Sequence, residues 1–174
     1  MSSILDIDLD YFCLCAEPEQ RLAELLEWAG RPVDAVVEHH SEAVVVWTHA
    51  VRRGIIDTPQ FILHVDEHHD MLGEGRPINA GNFLYFVMRK WPKCRVHWLV
   101  DWKIDSPRQW LSEDAWESVA GRFTSGSRKR RGWPKPDMVT VANSPGFLDH
   151  HLRRRLLDRI ACFVKKHHRR SSSS

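Results

Sequence analysis

Ser3-Ile4-Leu5-Asp6-Ile7-Asp8-Leu9-Asp10 and Phe61-Ile62-Leu63-His64-Val65-Asp66-Glu67-His68-His69-Asp70 are two apolar runs that each end in a crowd of metal-ligand side chains. In an extended strand alternate residues point to the same side. Asp6, Asp8 and Asp10 then share one face, and Asp66, His68 and Asp70 share another. Two such strand ends lying side by side bring several carboxylates and an imidazole into a small volume. Like charges that close do not all stay ionised without a cation. One or two divalent ions resolve the conflict, which makes a hydrolase built around a metal centre the first expectation.

Outward from these runs, strands and helices alternate. Residues 3–9 read as a buried strand. Residues 17–29 carry Leu22, Leu25, Leu26 and Trp28 at helical spacing and stop at Gly30 before Pro32. A second helix is expected from about His40 to Arg53, ending at Gly54. Residues 60–66 form a strand, 72–81 a Gly-rich loop, and Asn82 to Trp91 a helix stopped by Pro92. Another strand spans 95–101 and another helix 107–122. Residues 124–135 read as an exposed loop. Asp137 to Ala142 form a fourth strand, and Phe147 to about Lys166 a long amphipathic helix. This alternation predicts a three-layer α/β/α sandwich with a mostly parallel sheet. Ligands in such sheets collect at the carboxyl ends of strands, where both acidic runs terminate.

Composition narrows the classes. A chain of 174 residues that is 43% apolar supports one domain with a real core, expected over 1–168, with 169–174 a disordered tail. The formal charge of +2 gives no field that selects nucleic acid. The basic run Arg128 to Arg131 offers a dock for an acidic leader peptide or nucleic acid, but a solvated loop is the favoured reading, and no nucleic-acid partner is expected. No apolar run reaches the roughly 18 residues of a membrane span, so no membrane partner is expected either. The N-terminus lacks a secretory pattern. Cys13, Cys15, Cys94 and Cys162 have no zinc-like pairing and read as reduced thiols, so a cytoplasmic location is expected. Eleven His exceed what this length needs and fit metal or proton chemistry. His49, His64 and His97 read as core or surface histidines.

Asp66-Glu67-His68-His69-Asp70 resembles the Asp-x-His-x-Asp signature of the ureohydrolases, the arginase and agmatinase superfamily. Asp6-Ile7-Asp8 resembles that superfamily's Asp-x-Asp at another strand end. His40-Ser41 stands where the family places a further His opening a helix, and neighbouring His39 is an alternative. The order of the two acidic strands is reversed relative to arginases, which implies a circularly permuted, minimal arginase/deacetylase-like fold. The combination is similar to the compact peptide arginases. The resemblance implies two Mn2+ ions, with zinc or iron as alternatives. One would be held by His40, Asp66, Asp70 and Asp6, the other by His68, Asp66, Asp6 and Asp8, with Asp66 and Asp6 bridging. It implies that arginine side chains in a ribosomally made precursor peptide, the partner substrate, are hydrolysed to ornithine and urea. Asp70 would then bind metal and orient the attacking water.

The chain departs from the family in three places. Ala80-Gly81-Asn82-Phe83-Leu84 puts Leu84 where arginases carry a proton-shuttling His; His69, His39 and His150 are the replacements considered. Thr140 stands where arginases carry the Glu that grips guanidinium, so Asp10 or Glu67 is the expected anionic partner. Asn82 remains as a substrate contact, while the partial loss of that loop's carboxylate-binding groups favours a peptide over free arginine. Competing readings are a deacetylase-like amidohydrolase, a haloacid-dehalogenase-like phosphatase using Asp6, and a non-catalytic peptide-binding relic. Trp102 is a candidate for the site mouth.

Overall fold

The computed structural model describes residues 2–75, 77–101, 105–127 and 132–171. Six strands, β1 (Ser2–Asp8), β2 (Ala35–Val37), β3 (Pro59–Val65), β4 (Arg95–Leu99), β5 (Phe123–Gly126) and β6 (Met138–Ala142), form a single sheet. Its order is β2-β6-β1-β3-β4-β5, and every pairing is parallel. Helices α1 (Pro18–Ala29) and α5 (His150–Ser171) pack on one face. Helices α2 (Ala43–Arg52), α3 (Phe83–Lys90) and α4 (Glu113–Ala120) cover the other. The architecture is the α/β/α sandwich that the alternation predicts.

The strands obey the period of two throughout. Leu5, Ile7, Leu63, Val65, Val139 and Val141 face α1 and α5, while Ile4, Ile62, Val96 and Met138 face α2, α3 and α4. Both sets are buried, as parallel strands covered on each side must be. Parallel crossovers are right-handed, so connections that step in opposite directions along the sheet put their helices on opposite faces. The step from β1 leftward to β2 uses α1; the rightward steps to β3, β4 and β5 use α2, α3 and α4. The chain therefore diverges at the neighbouring strands β1 and β3, and this switch point is where a ligand crevice forms.

Several boundaries differ from the expectation. Edge strand β5 falls largely within the loop expected over 124–135, and edge strand β2 lies where the alternation assigns no element; they are four and three residues long, too short to show a period. The helix expected over 107–122 is interrupted: a 3-10 turn, Pro107–Gln109, precedes α4, which Ser112 caps through Ala115 N–H. The helix from His40 begins as a 3-10 turn, His40–Glu42. Asp10 lies in the 3-10 turn Leu9–Leu14, not in β1. Helix α5 runs to Ser171, past the point where the tail was expected to begin. Trp102 and the basic run 128–131 lie outside the described residues. All four cysteines are free, and no described helix is long and apolar enough to cross a membrane.

Candidate metal centre

At the β1–β3 switch point the sheet register sets Asp6 opposite His64 on one side and Thr140 on the other. All three point to the face covered by α2 and α3. Asp6 is fully buried, and its oxygens are occupied. Oδ2 takes His40 Nε2 at 2.8 Å and His64 Nδ1 at 2.9 Å. Oδ1 accepts from Thr140 Oγ1 at 3.0 Å, which in turn accepts from Trp47 Nε1 at 3.2 Å. Asp6 thereby selects the tautomers of the neutral rings, His40 with its proton on Nε2 and His64 with its proton on Nδ1, and so turns the opposite nitrogen of each ring toward the remaining carboxylates.

Those two nitrogens point at carboxylates. His40 Nδ1 lies 3.0 Å from Asp66 Oδ2, 3.0 Å from Asp70 Oδ2 and 3.2 Å from Asp8 Oδ2. His64 Nε2 lies 3.4 Å from Asp66 Oδ2 and 3.8 Å from Asp70 Oδ2. His40 Nδ1, His64 Nε2 and Asp70 Oδ2 are buried and make no hydrogen bond. Two donors each about 2.1 Å from one ion, at right angles, stand about 3.0 Å apart. The spacing is that of ligands around a shared centre. Orphaned buried polar atoms of this kind need an explanation, and a divalent cation among these nitrogen and oxygen donors supplies it.

A second nest adjoins the first. His68 Nδ1 lies 3.2 Å from Asp10 Oδ2 and 3.5 Å from Asp66 Oδ1. Asp10 is buried with Oδ1 unpartnered, whereas the His68 side chain is about half exposed and lies tilted against the Phe147 ring at 6.0 Å. Asp66 gives one oxygen to each nest. Ser144 Oγ donates to Asp8 Oδ2 at 2.6 Å and Asp8 Oδ1 accepts from Asp10 N–H at 3.0 Å. Trp98 Nε1 donates to the Asp66 carbonyl at 2.8 Å. Phe83, opening α3, packs on both rings of the first nest, 4.7 Å from His40 and 6.0 Å from His64. Among the described residues, the two non-glycine residues with positive φ, Asp70 at 49° and Ser144 at 41°, both belong to the site. Such backbone is uncommon and is held by its surroundings.

The electrostatics follow from crowding. Burial would raise Asp6, but the charge and hydrogen bonds of His40 and His64 hold it down at about 2. Burial would lower His40, yet Asp6, Asp66 and Asp70 push it well above its usual value. Burial and the neighbouring Asp66 charge push Asp70 up to about 7. Burial likewise lifts Asp10 to about 7, against the hydrogen bond from His68. Hydrogen bonds to Asp10 and then Asp66 raise His68 to about 11. With protein groups alone, protons do the work of a cation.

The structure thus brings Asp8, His40, Asp66 and Asp70 together and sets His68 beside them with Asp10. Asp6 stands behind the two histidines as their hydrogen-bond acceptor, and it is also grouped with His40 and His64 closely enough to hold a metal ion. His64, expected to be an ordinary core or surface histidine, is buried inside the nest. Its signal was available, since the alternation through Asp66 extends back to His64. The helix-opening residue in the nest is His40; His39 is exposed. Asn82 is a loop staple: its Nδ2 donates to the carbonyls of Gly75 and Pro77 and its Oδ1 accepts from Asn79 N–H. His69 does not fit a proton shuttle. Its Nδ1 accepts from Met71 N–H at 3.0 Å, and burial pushes it down to about 4, so it stays neutral. Glu67 lines a neighbouring pocket. Leu84 is buried in the core, its amide donating to the Asp70 carbonyl.

Comparison with protein-family models, curated proteins and solved structures finds no match. The site's aspartates and histidines are grouped closely enough to hold a metal ion.

Proposed function

We propose that the chain is a metal-dependent hydrolase acting on a linear amidine, converting arginine side chains of a ribosomally made peptide to ornithine and urea. The observation that carries the reading is the pair of nests sharing Asp66, with orphaned donor atoms turned into them. The first would be held by His40, His64, Asp8, Asp66 and Asp70, the second by His68, Asp66 and Asp10. Two manganese ions suit this mixture of hard carboxylate oxygens and imidazoles. Bound there, they would supply Lewis acidity and a water acidified toward neutral pH.

The chain's own residues set the rest. Asp6 keeps both imidazoles in their ligating tautomers. Asp70, held at an unusual φ, directs its carboxylate inward to orient a water. Phe83 and Trp47 keep the far side dry. Asp10 Oδ1, buried and unpartnered, is left as an acceptor for one guanidinium N–H. Hydrolysis adds one water across the guanidinium carbon–nitrogen bond: the side-chain nitrogen leaves as the ornithine amine and the carbon leaves as urea. The ureohydrolase resemblance of Asp66 to Asp70 supports this substrate class. Asp6, buried and hydrogen-bonded to His40, His64 and Thr140, gives no support to a phosphatase that forms an aspartyl phosphate.

The test is incubation with Mn2+ and arginine-containing peptides, read by mass spectrometry and urea release. Each modified residue should lose CH2N2. Metal binding without such loss over a broad peptide panel would discard the arginase reading and leave a metal-binding fold.

A further inference from the structure

Beside the second nest lies a cavity of about 280 Å3, lined by Glu67, His68, His69, Leu72, Trp98, Asp105 and Trp110. Among the described residues that line it, His68 alone belongs to either nest. It adjoins the reacting centre without containing it. Its size falls just below the roughly 300–1,000 Å3 of small-molecule pockets, room for about one side chain. Leu72 and Trp110 are exposed apolar groups at its mouth, and Trp98 is a buried wall.

Two features define its chemistry. The first is His69, which is 3% exposed. Met71 N–H donates to its Nδ1, so the ring proton sits on Nε2. Among the described residues that Nε2–H has no partner. The ring lines the cavity, so a ligand oxygen there would take that N–H in place of solvent. The second is charge. Glu67 and Asp105 both line the cavity, and Asp105 is fixed by Trp110 Nε1 and by Ser106 N–H. Two carboxylates repel an anionic ligand and tolerate a neutral or cationic one.

We propose that this cavity is the subsite for the peptide residue flanking the reacting arginine: the flanking backbone carbonyl accepts from His69 Nε2–H, the flanking side chain packs on Trp98, Trp110 and Leu72, and Glu67 with Asp105 reject acidic neighbours. The inference rests on the peptide-hydrolase reading above. It also gives that reading a physical reason to disfavour free arginine, whose carboxylate would meet Glu67 and Asp105 where a peptide offers a neutral carbonyl.

The test uses the full chain with Mn2+ and acetylated, amidated pentapeptides Ala-X-Arg-X-Ala, where X is Leu, Lys or Glu. Calorimetric affinity and CH2N2 loss are measured separately. Leu and Lys peptides should bind about tenfold or more tighter than the Glu peptide. Trp110→Ala, at a half-exposed position, should weaken the Leu peptide about tenfold and leave metal affinity unchanged. Glu67→Gln with Asp105→Asn should remove the discrimination against Glu. Equal affinity for all three peptides, no detectable binding of any, or an unchanged Leu-to-Glu ratio in both variants overturns the subsite. Selective binding without CH2N2 loss keeps the subsite and overturns the hydrolase reading.

Discussion

Asp6 shows how one residue's role is set by its partners. Its sequence position suggests a ligand, yet its oxygens are committed to His40, His64 and Thr140. Asp6→Asn keeps the shape but presents an amide N–H₂ group where two imidazoles need an acceptor. Groups that orient ligands typically account for about 10–100-fold of metal affinity. Asp6→Asn should therefore weaken Mn2+ binding by about that factor while the far-UV circular dichroism stays native. His64→Ala removes a donor outright and should weaken binding at least as much. Unchanged affinity in His64→Ala would remove His64 from the ligand set. Asp70 makes a different point, because its backbone is unusual as well as its side chain. Asn tolerates left-handed backbone and β-branched residues do not. Asp70→Asn should keep its urea midpoint and lose metal, whereas Asp70→Val should also cost roughly 1–3 kcal/mol of stability.

At the level of elements, β1 and β3 were legible because each is a long apolar run whose residues are buried on both faces. The alternation rule then works for as long as the strand lasts. Strand β3 ends at Val65. His64 lies within it and Asp66 one step past it, and both obey the alternation. His68 and Asp70 lie in the loop beyond, where the rule has no force. The positive φ of Asp70 turns it back toward the first nest, while His68 diverges to Asp10. The same reasoning separates Asp8, on the strand, from Asp10, in the following turn. Because β1 and β3 carry the site, their packing sets its geometry. Ile62, fully buried against α2 and α3, should cost about 2–5 kcal/mol on truncation to Ala. That loss, read from urea unfolding, should come with weaker metal binding in partially destabilising conditions. A truncation of equal cost in α5, such as Leu156→Ala, should leave metal affinity nearly unchanged, since α5 contributes no ligand.

For the whole molecule, metal binding, protonation and stability are linked. Asp10 and Asp70 hold protons up to about 7 in the fold against 3.8 when unconstrained. Below 3.8 both folded and unfolded chains carry those protons. Between 3.8 and about 7 only the folded chain does. The stabilisation they bring is complete at low pH and lost as pH rises through about 7. The raised His40, His64 and His68 act in the same direction at higher pH. The lowered Asp6 and Asp66 act only in acid. Metal-depleted protein should therefore lose melting temperature between pH 6 and pH 8. Metal must displace the same protons, so Mn2+ affinity should rise over that interval. Manganese should raise the melting temperature more at pH 8 than at pH 6, and chelation should reverse the gain. A metal-induced shift that is flat with pH would contradict the crowded-carboxylate account.

The sequence by itself determined the layer architecture, the two central strands and the segments that meet at their carboxyl ends, because hydrophobic period and strand termini are local properties. It also placed Asp8, His40, Asp66 and Asp70 in one neighbourhood. Only the tertiary structure decided that Asp6 stands behind two imidazoles, that His64 joins the nest, that Asn82 binds its own loop and that Asp105 reaches the pocket beside His69. Those outcomes depend on which hydrogen-bond acceptor or neighbouring strand lies opposite a side chain. That is fixed by the β1–β3–β6 register and by loop backbone beyond the strands, where no local pattern in the chain carries the information.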